Sequence, residues 1–278
     1  MRAAIRCAVS ILALCVAWSA ATFAADSSSE PDALLVDGIV KKLESSGALD
    51  AAVERAIDRY VARKEQAQRA EYERKAADLA KRVPAVDPKS DHIRGNAAAE
   101  ISLIEYTDLE CPFCKQFHAT PKALLERYGG RVNWVMRDFP LPIHGAAARN
   151  EALAAECVAK LGGNEAYWKF VDAVFAQTRS NGEGLPAQHP VEKLASEAGV
   201  NGPALAKCIA DPATAKRLER DIADANTAGA TGTPTTIVRN DRTGAAEALI
   251  GAVPADVVAQ KIDRLLAPQS PAPITKVK

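Results

Sequence analysis

The chain predicts an α/β domain carrying a helical insertion, preceded by an all-helical extension. Three observations lead there. Residues 101–106 form a short apolar strand pattern that hands over, across a brief turn, to an amphipathic run from 112 to about 128, and a second strand pattern follows at 132–137. Strand patterns then return only at 236–239 and 248–250, after a block from about 145 to 230 that reads as helix. Aromatic residues make up only 5% of the 278 positions and Ala is abundant, which favours helix over most of the remaining length.

In chain order, residues 1–24 read as a signal peptide. Arg2 and Arg6 form a basic opening, residues 7–21 an apolar core, and Thr22-Phe23-Ala24 a small-residue cleavage site. The run is short for a membrane span, and the polar Asp26-Ser27-Ser28-Ser29 follows at once. A lipoprotein reading would use Cys15, but Leu14 stands where a small residue is needed. Export to the periplasm, with cleavage near Ala24, is the expectation. Lys and Arg balance Asp and Glu at 35 each, so no field for nucleic acid or a membrane surface is implied.

Residues 25–84 are expected to be a helical stalk. Leu34, Leu35, Ile39, Val40 and Leu43 mark a first amphipathic segment, interrupted at Ser45-Ser46-Gly47. Leu49, Val53, Ile57, Tyr60 and Val61 then recur at steps of three and four. Beyond Lys64 the composition is charged, with Tyr72, Ala76 and Leu79 as a thin stripe. Such a helix cannot bury its apolar face alone, and self-association through residues 31–83 is favoured over packing on the following domain. The charged second half reads equally as a solvated connecting rod. Pro84 and Pro88 stop the helix and open a domain at 89–268.

That domain is organised around Glu110-Cys111-Pro112-Phe113-Cys114-Lys115. A Cys-x-x-Cys where a strand meets a helix is the redox arrangement; structural zinc would call for a second matching pair, which the sequence lacks. Cys111 should lie just outside a helix N-terminus, where unpaired N–H groups favour a thiolate, so its pKa should be depressed. Pro112 suits the first turn because its missing N–H would have been unpaired anyway. Cys114, one turn in, is expected to be the buried resolving thiol. Glu110 should oppose the thiolate and Lys115 support it, while Phe113 offers neither charge nor hydrogen bond; a moderately oxidising pair is expected.

Turn residues divide the helical block into segments at 146–161, 164–176, 190–198, 202–210 and 213–228, and a last helix is expected at 254–266. Once the leader is removed four cysteines remain, and they allow three pairings. If Cys111 and Cys114 form one pair, Cys157 and Cys208 form the other, stapling the helical block. The alternative is two separate buried thiols. The tail at 269–278 is expected to be disordered.

Taken together, Cys111-Pro112-Phe113-Cys114, Glu105 six residues before the first cysteine, and Thr231-Gly232-Thr233-Pro234-Thr235 resemble the DsbA-like thiol:disulfide oxidoreductases of the thioredoxin fold. The resemblance covers residues 91–266 and implies a thioredoxin-like α/β fold. It implies that Pro234 is cis and faces the cysteines, that Thr233, with Pro112 and Phe113, meets an extended substrate segment, and that Glu105 is a buried acid exchanging a proton with Cys114. The stalk is similar, in length and position alone, to that of ScsC-type proteins and other oligomeric relatives. Implied partners are reduced or misfolded exported proteins, a membrane redox partner, and further copies of the chain. No cofactor is expected, and no metal. Two readings from other classes stay open here: a copper- or zinc-sequestering protein using Cys111, Cys114, His118 and His144, and an oligomeric holdase in which the thiols are incidental.

Overall fold

The computed structural model describes residues 33–267; the expected leader at 1–24 and tail at 269–278 lie outside them. The chain divides into two units, one ending at Glu65 and one beginning at Gln66. In the first, α1 (Ala33–Ser45) meets α2 (Ala48–Arg82) at Gly47, whose φ of +64° is the left-handed conformation that glycine adopts without strain. Leu34, Leu35, Ile39, Val40, Leu43, Leu49, Val53, Ile57, Tyr60 and Val61 are all exposed in the single chain.

The second unit takes up the remaining turns of α2. Its core is a five-stranded sheet of β1 (His92–Gly95), β2 (Ile101–Thr107), β3 (Val132–Asp138), β4 (Thr235–Asn240) and β5 (Ala246–Ile250), in the order β1-β3-β2-β4-β5. Only the central β2–β3 pair is parallel. The expected α/β layout with a helical insertion is therefore what forms. Both faces are covered, so every residue of β2 is buried. Period-two alternation sends Ile101 and Leu103 to one face and Ile104 and Tyr106 to the other. The first face holds Trp134, Met136, Val238 and Leu249 under α3 (Pro112–Phe117), α4 (Ala119–Tyr128) and part of the insertion.

The opposite face is closed in part by α2 itself. Ala76, Leu79, Ala80 and Val83 are buried against Ile104, Tyr106, Val135, Ile237 and Ala248, and the Ile250 N–H donates to the Tyr72 hydroxyl at 3.0 Å. The thin stripe thus belongs to the domain, not to a solvated rod, and the domain's packing begins before the prolines. Small alanines let a helix approach a sheet closely, so a narrow stripe is enough. Arg137 fastens the next segment, donating to the carbonyls of Pro84 and Ala85 at 3.2 Å each and pairing with Asp91 at 2.9 Å.

In the insertion, α5 (Gly145–Gln177) contains a non-helical Gly163 (φ +80°) and so doubles back as two helices. It is followed by α6 (Val191–Glu197), α7 (Gly202–Ile209) and α8 (Pro212–Ala228), and after the β4–β5 hairpin by α9 (Ala255–Leu266). A disulfide joins Cys157 of α5 to Cys208 of α7, with Cα atoms 5.7 Å apart. The Thr214 hydroxyl in the first turn of α8 donates to the Cys208 carbonyl at 2.8 Å, drawing a third helix to the same point.

Candidate active site

Cys111 is the N-cap of α3, with extended backbone (φ −78°, ψ 121°) and Pro112 in the first turn. The helix is short; it bends at His118 and resumes as α4. Across the cleft lies the loop before β4, where the Thr233–Pro234 peptide bond is cis. Cys111 Sγ donates to the Thr233 carbonyl at 3.4 Å, so two stretches more than a hundred residues apart meet at the reactive sulfur. Cys111 and Cys114 are both free thiols, and both are buried. Phe113, between them, is 59% exposed.

The surroundings split the two thiols. The Cys111 thiol is lowered to about 6: the Cys114 thiol hydrogen-bonds it, and the Thr233 side chain and the backbone N–H groups of Cys114 and Phe113 add to this against the cost of burial. Phe113 therefore does help the thiolate, through its backbone. Burial pushes Cys114 well above the ordinary thiol range, and the neighbouring Cys111 and Glu105 push it further. One sulfur is readily ionised and the other holds its proton.

Glu105 lies on the same face of β2 as Leu103, turned into the core behind the cysteines, and is 1% exposed. Burial raises its pKa to about 8, with Cys111 adding and the Thr107 and Trp134 side chains opposing. The Trp134 indole donates to Glu105 Oε2 at 2.9 Å. Trp134 pairs in register with Leu103 on β2, so the parallel register delivers the indole to this face. Nothing in the local pattern around Trp134 singles it out; only the strand pairing places it on the face of Glu105.

Glu110 and Lys115 depart from the expected electrostatic contest at Cys111. Glu110 is fully buried and turned away from the sulfur: its carboxylate accepts from the Thr178 hydroxyl and from the Gly184 N–H at 2.9 Å. Lys115 Nζ donates to the Thr178 carbonyl at 2.6 Å. Neither side chain is among the leading influences on the Cys111 thiol. The reason is that the loop at 178–184, remote in sequence, presents a hydroxyl, a carbonyl and an N–H that outcompete a distant sulfur. Asp108 organises the same turn, accepting from the Glu110 N–H at 2.8 Å, the Leu141 N–H at 2.7 Å and His144 Nδ1 at 2.7 Å.

The soft-metal grouping is not assembled. His118 is buried on Asp172 at 2.7 Å, packed against Trp134 and Phe175, and His144 is taken up by Asp108. Burial lowers the His118 pKa, with Asp172 opposing. Among the described residues no group of three or more His, Cys, Asp or Glu could hold a metal ion. Cys157 and Cys208, in the insertion, are joined to each other and not to the redox pair.

Comparison with known proteins fits this geometry. The thioredoxin family model Thioredoxin_4 matches residues 87–249. The crystal structure of DsbA2 from Pseudomonas aeruginosa is similar at 33% identity and TM-score 0.57, covering 66% of this chain and 97% of that one. The thiol-disulfide exchange protein α-DsbA2 of Wolbachia pipientis (20% identity, TM-score 0.56, 72% and 98% covered) shares the fold. So does the catalytic domain of Proteus mirabilis ScsC (19% identity, TM-score 0.54, 70% and 98% covered). A curated relative, a Na(+)/H(+) antiporter NhaA of Herminiimonas arsenicoxydans, is 34% identical over 159 residues, 57% of this chain but only 24% of that protein's length.

Proposed function

Because this chain belongs to the thioredoxin family and, within it, to the DsbA-like thiol-disulfide oxidoreductases, we propose that it is exported to the periplasm and forms or isomerises disulfides in reduced or misfolded exported proteins. The observation that carries this reading is the split between Cys111, lowered to about 6, and Cys114, raised well above the ordinary range, beside the Thr233 carbonyl.

In the oxidising direction a client thiolate attacks Cys111 Sγ, the Cys111–Cys114 bond breaks, and the electron pair leaves on Cys114. Cys114 then takes a proton from Glu105, whose pKa near 8 leaves it protonated at neutral pH. A second client thiolate attacks the client sulfur of the mixed disulfide and expels Cys111 as thiolate, the better leaving group of low pKa. In isomerisation the Cys111 thiolate attacks a client disulfide, and a client thiolate later displaces it. An extended client segment lies beside Thr233-Pro234, with Phe113 exposed at its edge. A membrane redox partner resets the pair, and copies associate through residues 31–83.

The test is trapping. With Cys114→Ser, an exported client carrying one cysteine as a mixed disulfide with thionitrobenzoate should accumulate as a mixed disulfide on Cys111 with thionitrobenzoate released, and full-length protein should restore activity to scrambled ribonuclease. Absence of the adduct, together with a Cys111 titration midpoint in the ordinary thiol range, would overturn the reading.

A further inference from the structure

Glu110 and Lys115 bracket the Cys-x-x-Cys, one residue before it and one after, and both end on Thr178. Glu110 takes the Thr178 hydroxyl and Lys115 its carbonyl. The hold on Glu110 is complete: its N–H goes to Asp108, its carbonyl accepts from the Asn181 N–H at 2.8 Å, and its second carboxylate oxygen accepts from the Gly184 N–H. The loop they grip is not in a locally preferred conformation. Ser180 (φ 64°) and Asn181 (φ 58°) are left-handed without being glycine, a conformation that Ser in particular seldom adopts, so tertiary contacts hold the loop there. It also fits closely: a Cβ on Gly182 would come within 2.8 Å of the His144 carbonyl.

Resting on the exchange reading above, we infer that Glu110 is a positioning residue for disulfide exchange: through Thr178 and the 178–184 loop it fixes the turn that aims Cys111 at the N–H groups of Phe113 and Cys114. Thiolate stabilisation by backbone donors depends steeply on direction and distance, so a turn free to rock would lose it. The charged and titratable groups around Glu110 are Asp108 and Glu151, with Lys115 on the far side of Thr178. Glu151, raised to about 9 chiefly by burial and by the Glu110 charge, stays protonated beside it.

The competing account is simple repulsion between a Glu110 carboxylate and the Cys111 thiolate, and it has the opposite sign. Three full-length variants separate the two: Glu110→Ala, Glu110→Gln and the charge-neutral Thr178→Val. The readouts are thiolate absorbance of Cys111 against pH and equilibrium with glutathione. Positioning predicts that Glu110→Ala moves the midpoint up by about one pH unit and the equilibrium about tenfold toward the disulfide. Thr178→Val should move both the same way by about threefold, with Glu110→Gln nearer to wild type than Glu110→Ala because it keeps one of the two acceptor oxygens. A midpoint that falls in both Glu110 variants would overturn the inference in favour of repulsion. Lowered stability with unmoved midpoints would overturn it in favour of a merely structural role. Should Glu110→Ala fail to fold, Thr178→Val decides alone: an upward shift sustains positioning, none overturns it. Wild-type protein that neither ionises below the ordinary thiol range nor exchanges with glutathione would sink the exchange reading itself, a result visible before any variant is made.

Discussion

At the scale of single residues, the site works by denying some groups water and giving others donors. Glu105 is the clearest case. Its carboxyl is raised to about 8 mainly by burial, whereas in the unfolded chain it titrates near 4.5. Between those values the native state holds a proton that the unfolded state has released, so stability is full below about pH 4.5 and declines as pH rises toward 8. In a Cys111→Ser Cys114→Ser background, Glu105→Gln should remove a slope approaching about 1.4 kcal/mol per pH unit, measured by urea unfolding from pH 5 to 8. Identical slopes in the two proteins would show that Glu105 is ionised in the folded state. The Glu105→Gln substitution in the active protein should slow release of Cys114 as leaving group, while leaving the ionisation of Cys111 largely in place.

At the scale of elements, α2 has two characters. Its last turns are domain core: Leu79 is 3% exposed and Val83 4%. Leu79→Ala should cost about 2–5 kcal/mol of unfolding free energy, independent of protein concentration, because a buried leucine leaves a cavity against the sheet. A chain trimmed to begin at residue 85 would lose Leu79, Ala80 and Val83 together and uncover Ile104 and Tyr106 of β2, so it tests core packing as well as the stalk. Ile57, 55% exposed, is the contrast; its replacement by Ala should leave a monomer's stability within about 0.5 kcal/mol. The insertion is likewise an element-level device. Gly163 lets α5 double back, so that Glu151 near its start and Thr178 just past its end both reach the active-site turn.

At the scale of the whole molecule, a single chain leaves the apolar stripe on α1 and the first half of α2 unburied. If copies cover it, as proposed, Val53→Asp with Ile57→Asp in the full-length protein should convert an oligomer to monomers in sedimentation velocity. Cys111 titration and glutathione equilibrium should stay unchanged, and isomerisation of scrambled ribonuclease should fall. A monomeric wild type would end the oligomer proposal without touching the redox chemistry.

Much of this was legible beforehand. The short apolar runs at 101–106 and 132–137, and turn chemistry around the helices, set the α/β layout, because such runs are bounded by local signals. Of the positions that meet at the reactive sulfur, Cys111 and Cys114 could be named from residue type and spacing, whereas Glu105, Thr233 and Pro234 are named by what the family resemblance implies. What their side chains bond to could not be named in either way. Glu110 and Lys115 look from sequence like opposed charges on one thiolate; only the folded chain brings Thr178 between them. His118 looks like a ligand within reach of two thiols until Asp172 arrives from another helix. Sequence by itself determined the layout and the Cys111–Cys114 pair at a helix start, since both depend on neighbours a few residues apart. Tertiary structure alone decided which partner each polar group took, because those partners lie tens to more than a hundred residues away and a buried hydrogen-bonding group accepts whichever donor the fold delivers.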